Sequence, residues 1–246
     1  MDKCYICLQP LAGTYHFDVW DHKMCASHYN KDVIACSSCY GFTKKDNILP
    51  DGRILCKVCF DTAIKPGDSV ESVKASVINN LNRVGFDDLR IEDITIEIVS
   101  AQKLAEIRKS PINLQNKGIT MSKTTTATSF GFFTGKNTRQ TFRHTVYMLT
   151  HLTKIEFAGT LAHELLHAWQ VQNGINMSPK MTEGVCNMGT YLMYTSLPGS
   201  LTKILLKSLN ESNDPIYGDG FREVFTIYND IGWSELIMKI RKKDIV

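Results

Sequence analysis

The sequence predicts an α+β chain in two parts: a small metal-braced module at the N-terminus, then a domain with a small sheet and a helical lobe. Three observations carry this reading. Cysteine and histidine fall into four i, i+3 pairs before residue 60. The string His163-Glu164-Leu165-Leu166-His167 lies in an apolar stretch, between Leu161-Ala162 and Ala168-Trp169. Hydrophobic periodicity between these features runs helix, strand, helix and two strands, and it is helical after the second. The expected organisation is a module over 1–62, a linker over 63–70 and a larger domain over 71–246.

The composition excludes several classes. At 246 residues, with 43% hydrophobic and 22% charged, the chain reads as one large or two modest globular domains. A net charge of +3 is too small to argue for nucleic acid or membrane as a partner. The basic run Lys239 to Lys243 reads as a solvated helix end. No apolar stretch reaches the roughly 18 residues of a membrane span. No signal-peptide core precedes Cys4 and Cys7, so a cytoplasmic location is expected. Seven of the eight cysteines precede residue 60, and at this spacing in a reducing compartment they mean metal rather than disulfides.

The donor string is Cys4-x2-Cys7-x17-Cys25-x2-His28-x7-Cys36-x2-Cys39-x16-Cys56-x2-Cys59. Eight donors suffice for two closed tetrahedral zinc sites, and so short a module needs metal for stability. Sequential pairing would put Cys4, Cys7, Cys25 and His28 on one zinc, and Cys36, Cys39, Cys56 and Cys59 on the other. That arrangement resembles a LIM domain. His22, three residues before Cys25, competes with His28 for the fourth place, and His28 is preferred because it keeps its pair compact. Alternate pairing would resemble a RING module and imply ubiquitin ligation. The seven-residue gap after His28 is long for either.

In the second part, Ser69 to Val84 reads as an amphipathic helix capped by Ser69, and Ile94 to Val99 alternates as a strand. Ala101 to Arg108 is a short helix stopped before Pro111. Gly118 to Thr126 and Thr141 to Leu149 read as strands joined by a Gly-rich turn around Phe130 to Thr138. The string Gly131-x3-Gly135-Lys136 lacks the spacing and the following Ser/Thr of a phosphate loop. Thr153 and Glu156 form a capping box that opens a helix reaching about Gln172. Ser178-Pro179 opens the next helix, through Glu183 to about Tyr194. Gly218-Asp219-Gly220 reads as a turn, with Asp219 capping a helix from about Phe221.

Residues i and i+4 of a helix lie one above the other, so His163 and His167 can bind one zinc ion, with Glu164 beside them to take a proton from an activated water. A short turn and an antiparallel helix can return Glu183 to the same zinc as third ligand, with Glu211 and Glu223 as more distant rivals. Asn187, one turn after Glu183, is a candidate to orient the first histidine. Cys186 reads as a small buried residue, or as a redox-sensitive neighbour of the zinc. This element order is that of a zincin-like metallopeptidase, whose edge strand, expected near Thr141 to Leu149, holds an extended peptide.

Taken together, the zinc module, A-H-E-L-L-H-A-W over 162–169, S-P-x-x-x-E-G-V-C over 178–186 and Tyr217 to Arg222 resemble the LIM-domain zinc metallopeptidases first known as plant regulators of organ and seed size, which have bacterial relatives. The resemblance covers nearly the whole chain. It implies that His163, His167 and Glu183 hold a catalytic zinc and that Glu164 is the catalytic residue. It also implies cleavage of protein substrates by an enzyme that can be held latent. Tyr217 or Arg222 becomes a candidate to stabilise the oxyanion or grip the substrate, with His151 and Tyr191 as alternatives. Plant members carry ubiquitin-interacting helices ahead of the zinc module; this sequence opens at that module, so activation through ubiquitin is not expected. The expectation is a gluzincin-type endopeptidase with one catalytic and two structural zinc ions, acting on protein or peptide substrates, with the LIM-like module binding a partner or regulating the enzyme. The alternative is a catalytically silent zinc-binding scaffold.

Overall fold

The computed structural model describes residues 2–29, 31–131 and 135–244, with 129–131 and 135–137 described in backbone alone. The tip of the turn expected around Phe130 to Thr138 therefore lies outside the described residues. The chain divides into two units, Met1–Lys65 with Thr150–Lys154, and Pro66–Leu149 with Ile155–Val246.

The first unit is built from two-residue and three-residue strands: β1 (Tyr15–Phe17) with β2 (Lys23–Cys25), β3 (Val33–Ala35) with β4 (Phe42–Lys44), and β5 (Asn47–Ile48) with β6 (Ile54–Leu55). Two C-x2-C knuckles repeat the same local geometry. Leu8 N–H donates to Cys4 O and Tyr40 N–H to Cys36 O, each at 2.9 Å. Leu8 and Tyr40, each just after the second cysteine, are left-handed, with φ of 62° and 59°. The knuckle curls the backbone around its sulfurs, a conformation L-residues hold only when something else compensates it. After the knuckles come helix α1 (Lys57–Thr62) and strand β7 (Ala63–Ile64), which pairs antiparallel with β11 (Leu152–Thr153). Ala63 and Ile64 are buried, so the first two residues of the expected linker are strand in the first unit, and the division falls at Lys65.

The second unit begins with α2 (Glu71–Arg83), two residues after Ser69, with Val70 rather than Ser69 at the N-cap. Then come β8 (Ile94–Val99), α3 (Ala101–Arg108), β9 (Gly118–Gly131) and β10 (Gly135–Leu149). The sheet order is β8-β10-β9. β10 pairs parallel with β8 and antiparallel with β9. The free edge expected at Thr141 to Leu149 is instead the central strand. Periodicity locates a strand but not its neighbours: the parallel pairing with β8 covers β10 over His144–Leu149, so β8 and β9 are the two edges and only Thr141–Arg143 of the expected segment keep an open side.

Helix α4 (Lys154–Gln172) carries the H-E-L-L-H string. Phe157, Leu161, Leu165 and Trp169 recur every four residues and are completely buried. Each large apolar side chain so placed contributes about 1.5–3 kcal/mol. Beyond α4 come α5 (Pro179–Ser196), α6 (Ser200–Asn210), α7 (Tyr217–Ile231) and α8 (Trp233–Lys242). Ser178 caps α5, accepting from Met181 N–H. Gly218 and Gly220 do not form the expected turn: they lie inside α7, which begins at Tyr217. Asp214 sits at its head, accepting from Ile216 and Tyr217 N–H at 2.9 and 2.8 Å, so Asp219 is not the cap. The glycines serve close approach instead. A Cβ on Gly220 would lie 2.3 Å from Lys180 O, and one on Gly184 would lie 2.3 Å from Gly220 O. α5 and α7 thus touch backbone to backbone. The basic run ending α8 is more than a solvated end, because Arg241 makes two hydrogen bonds of 2.9 Å to the Asp88 carboxylate, which also accepts from Trp169 Nε1 at 2.8 Å. Among the described residues no helix is long and apolar enough to cross a membrane.

Candidate functional site

In the first unit the donors gather into two sets, Cys4, Cys7, Cys25 with His28, and Cys36, Cys39, Cys56 with Cys59. Within each, donor atoms lie within 4.8 Å of one another. The pairing is sequential, not alternate, and this removes the cross-braced RING arrangement. Backbone amides point at the sulfurs, with Cys25 N–H 3.4 Å from Cys4 Sγ and Cys56 N–H 3.2 Å from Cys36 Sγ. Burial would raise the Cys4 thiol, but the backbone N–H groups of Cys25, Cys7 and Ile6 hold it down at about 6, toward the thiolate a metal requires. His28 fits the fourth place because a nitrogen of its ring lies within 4.8 Å of the Cys4, Cys7 and Cys25 sulfurs, and Asp32 meets its Nδ1 at 3.1 Å. His22 is occupied elsewhere: its Nδ1 lies 2.9 Å from Asp18 and its ring stacks on Tyr5 at 3.9 Å.

In the second unit, α4 and α5 bring three donors together. His163 Nε2 lies 3.1 Å from His167 Nε2 and 3.1 Å from Glu183 Oε2, and His167 Nε2 lies 3.4 Å from Glu183 Oε2. Tetrahedral coordination at about 2.0–2.1 Å requires donor separations of about 3.3 Å. Asn187 Nδ2 donates to Tyr217 O at 2.9 Å, so its Oδ1 is the acceptor that faces His163 Nδ1 at 2.9 Å. The His163 proton is then on Nδ1, and a lone pair points into the centre. Among the described residues Glu183 Oε2 is buried without a hydrogen-bond donor. Burial would raise the Glu183 carboxyl, but hydrogen bonds and charge from the two imidazoles, which must be protonated to act this way, hold it down at about 2; binding a metal replaces those protons. Lone pairs and a carboxylate facing one another repel unless a cation lies between them, and the residues fit zinc.

Cys186 also lies near both histidines. It is fully buried, and its Sγ is 3.4 Å from His167 Nδ1, on the side of the ring opposite the shared Nε2 atoms. It therefore backs His167 as Asn187 backs His163, and Glu183 completes the donor set.

Glu164 is buried beside the donors. Its Oε2 accepts from Thr120 Oγ1 at 2.8 Å, and the same hydroxyl reaches Glu164 O at 2.9 Å. Gly118 leaves room for the carboxylate, since a Cβ there would lie 2.8 Å from Glu164 Oε1. Tyr217 stacks on His163, ring centres 6.2 Å apart. Burial and the Glu183 charge push its hydroxyl up, against a hydrogen bond from Arg108, so it is a neutral donor at neutral pH. Arg108 also donates to Gly118 O at 2.9 Å.

Other candidates are used elsewhere. Arg222 donates to Asn210 O and Ser212 O at 3.0 and 2.6 Å and pairs with Asp219, so it braces the turn between α6 and α7. Tyr191 packs against Phe221 and Phe225. His151 belongs to the first unit, stacked on Phe60. Glu223 pairs with Lys180 at 2.7 Å, and Glu211 ends α6. Sequence reasoning missed Thr120, Gly118 and Arg108. No local pattern marks them, since Gly118 and Thr120 meet the site only through β9 and Arg108 only from the end of α3.

The chain is 23% identical to the rice (Oryza sativa subsp. japonica) LIM domain-containing protein HDR3 over 305 aligned residues, covering 97% of this chain and 60% of that protein. It is 26% identical to Protein DA1-related 2 of Arabidopsis thaliana, over 79% of this chain and 42% of that one. It is 23% identical to Protein DA1 of the same plant, over 89% and 52%. The chain thus spans about half the length of the curated relatives it matches. No family model and no solved structure matches it. The relatives and the two donor sets together make the N-terminal part a zinc-binding, LIM-like region within a mixed α+β chain.

Proposed function

We propose that the second unit is a zinc-dependent endopeptidase of the gluzincin type, and that the LIM-like region holds two structural zinc ions and binds a partner or regulates the enzyme. One observation carries the reading: His163 Nε2, His167 Nε2 and Glu183 Oε2 converge within 3.1–3.4 Å, with Glu164 held beside them. Zinc bound there would supply Lewis acidity toward a scissile carbonyl and toward water. Glu164 accepts the proton of the attacking water and returns it to the leaving amine. The Thr120 hydroxyl holds Glu164 Oε2 and leaves Oε1 for the transfer. Tyr217 donates to the developing oxyanion. The substrate lies extended along β9, the edge strand whose Thr120 touches the base.

The test is mass-spectrometric mapping of new protein termini produced by the native chain and by Glu164→Gln. Loss of the native termini in the variant, by a factor of about 10²–10⁴ in rate, is expected; identical termini from both chains would sink the proposal. Metal analysis separates this reading from a silent scaffold: three zinc ions per chain are expected for the enzyme and two for the scaffold.

A further inference from the structure

Strand β9 leaves the site as one side of a long ribbon. β10 pairs with β8 only over His144–Leu149, while its pairing with β9 runs from Gly135 to Met148. Alternation sorts the side chains. Thr120 touches Glu164 and Ser122 touches the buried His144, so Met121 and Lys123 point to the other face. Arg143 is registered with Lys123, and Arg139 with Ala127, which puts Lys123, Arg143 and Arg139 on that same outer face. All three are exposed, and among the described residues none is paired with a carboxylate. Glu97 of β8, on the same face, is registered with Tyr147, four residues along β10 from Arg143. Between Glu106 and Glu156 the sequence has no Asp or Glu and eight Lys or Arg, in a chain whose net charge is only +3.

Like charges directly opposite on a ribbon cost stability, so folding alone gives no reason for Lys123 facing Arg143. An anionic occupant would remove that cost. The free backbone edge of β9 beside this face is a template for an extended peptide, which can carry the acidic side chains onto this face. We propose that the outer face of the β9–β10 ribbon selects substrates with a run of acidic residues on one side of the cleaved bond. At about 3.4 Å per residue, Lys123 is about 10 Å from Thr120, and the level of Arg139 about 24 Å. The acidic residues therefore fall about three to seven positions from the bond. The inference rests on the peptidase reading for the identity of its occupant.

The experiment measures binding apart from cleavage. The full chain bearing Glu164→Gln is titrated, by fluorescence anisotropy, with two labelled peptides that differ only in Glu against Gln at those positions. The Glu peptide is expected to bind about ten-fold more tightly at low salt and to lose that advantage at high salt. Lys123→Glu, Arg139→Glu and Arg143→Glu together should abolish the preference, and the three Gln substitutions should remove most of it. Thermal melts matching the parent chain would show that the variants fold. Equal affinity for the two peptides, or a preference that survives charge reversal, overturns the inference, as does tighter binding of a short DNA duplex or of phosphatidylserine vesicles. If the Glu peptide binds selectively but the native chain yields no new termini, the ribbon stands as a site for acidic peptides, while its role in substrate selection falls with the peptidase reading. If the native chain yields new termini but the Glu peptide has no advantage, the ribbon inference falls and the peptidase reading stands.

Discussion

The two zinc-donor sets of the first unit and the donor set on α4 and α5 solve the same problem in different ways. In the first unit the donors sit on knuckles and two-residue or three-residue strands, around a core as small as Cys4, Met24 and Val33 with a few partly buried neighbours. In the second unit His163 and His167 are carried by a helix of 19 residues whose apolar stripe is wholly buried, and each has a side chain behind it. The first unit depends on its metal to hold the donors. The second carries its donors on packed helices, so those helices are expected to stay folded without metal. Folding energy and site geometry are thus coupled in one unit and separable in the other.

Chelation should break the symmetry most. Structural zinc contributes about 10–16 kcal/mol in small fingers, more than a typical domain's whole stability. Hydrogen exchange on the full chain with a strong chelator should show Cys4 to Cys59 losing protection while α4 and α5 keep theirs. Parallel loss in both units would end the distinction.

A packing change should act the other way. Gly184→Ala forces a Cβ to 2.3 Å from Gly220 O. It should destabilise the second unit by about 1–3 kcal/mol or more, equally with and without metal. If added zinc restored the melting temperature, the scaffold would not be independent of its metal.

The smallest effects belong to the side chains behind the histidines. Asn187→Ala and Cys186→Ala should each weaken zinc binding at the α4 site by about 10–100-fold, read by competition with a chromophoric chelator. Cys186→Ser, which keeps an acceptor, should lose less than Cys186→Ala. If Cys186→Ala bound zinc as tightly as the native chain, the contact to His167 would be packing alone.

The sequence and the structure divide the information along a physical line. Donor residues are legible because their spacing is local: a knuckle brings i and i+3 together, a helix brings i and i+4 together, and a capped second helix brings back Glu183. The same logic marks Asn187, one turn farther on. Spacing cannot separate His22 from His28, since the choice depends on which ring the fold brings beside the Cys4, Cys7 and Cys25 sulfurs, and that is His28. The glycines of α7 mislead because glycine serves turns and close contacts alike, and only the neighbouring α5 tells which. Arg222 misleads for a similar reason: its partners are carbonyls of a turn whose path the sequence does not show.

By itself, the sequence determined the donor types, their grouping in the chain and the helix that carries Glu164, because these follow from short-range geometry. The tertiary structure alone decided that β9 is an edge strand while His144 to Leu149 is central, that Thr120 and Gly118 frame Glu164, that Arg108 reaches Gly118, and that three cations share one face of a ribbon. Each of those contacts joins residues far apart in sequence, and long-range pairing is set by how whole elements bury one another, which no local pattern of residues encodes.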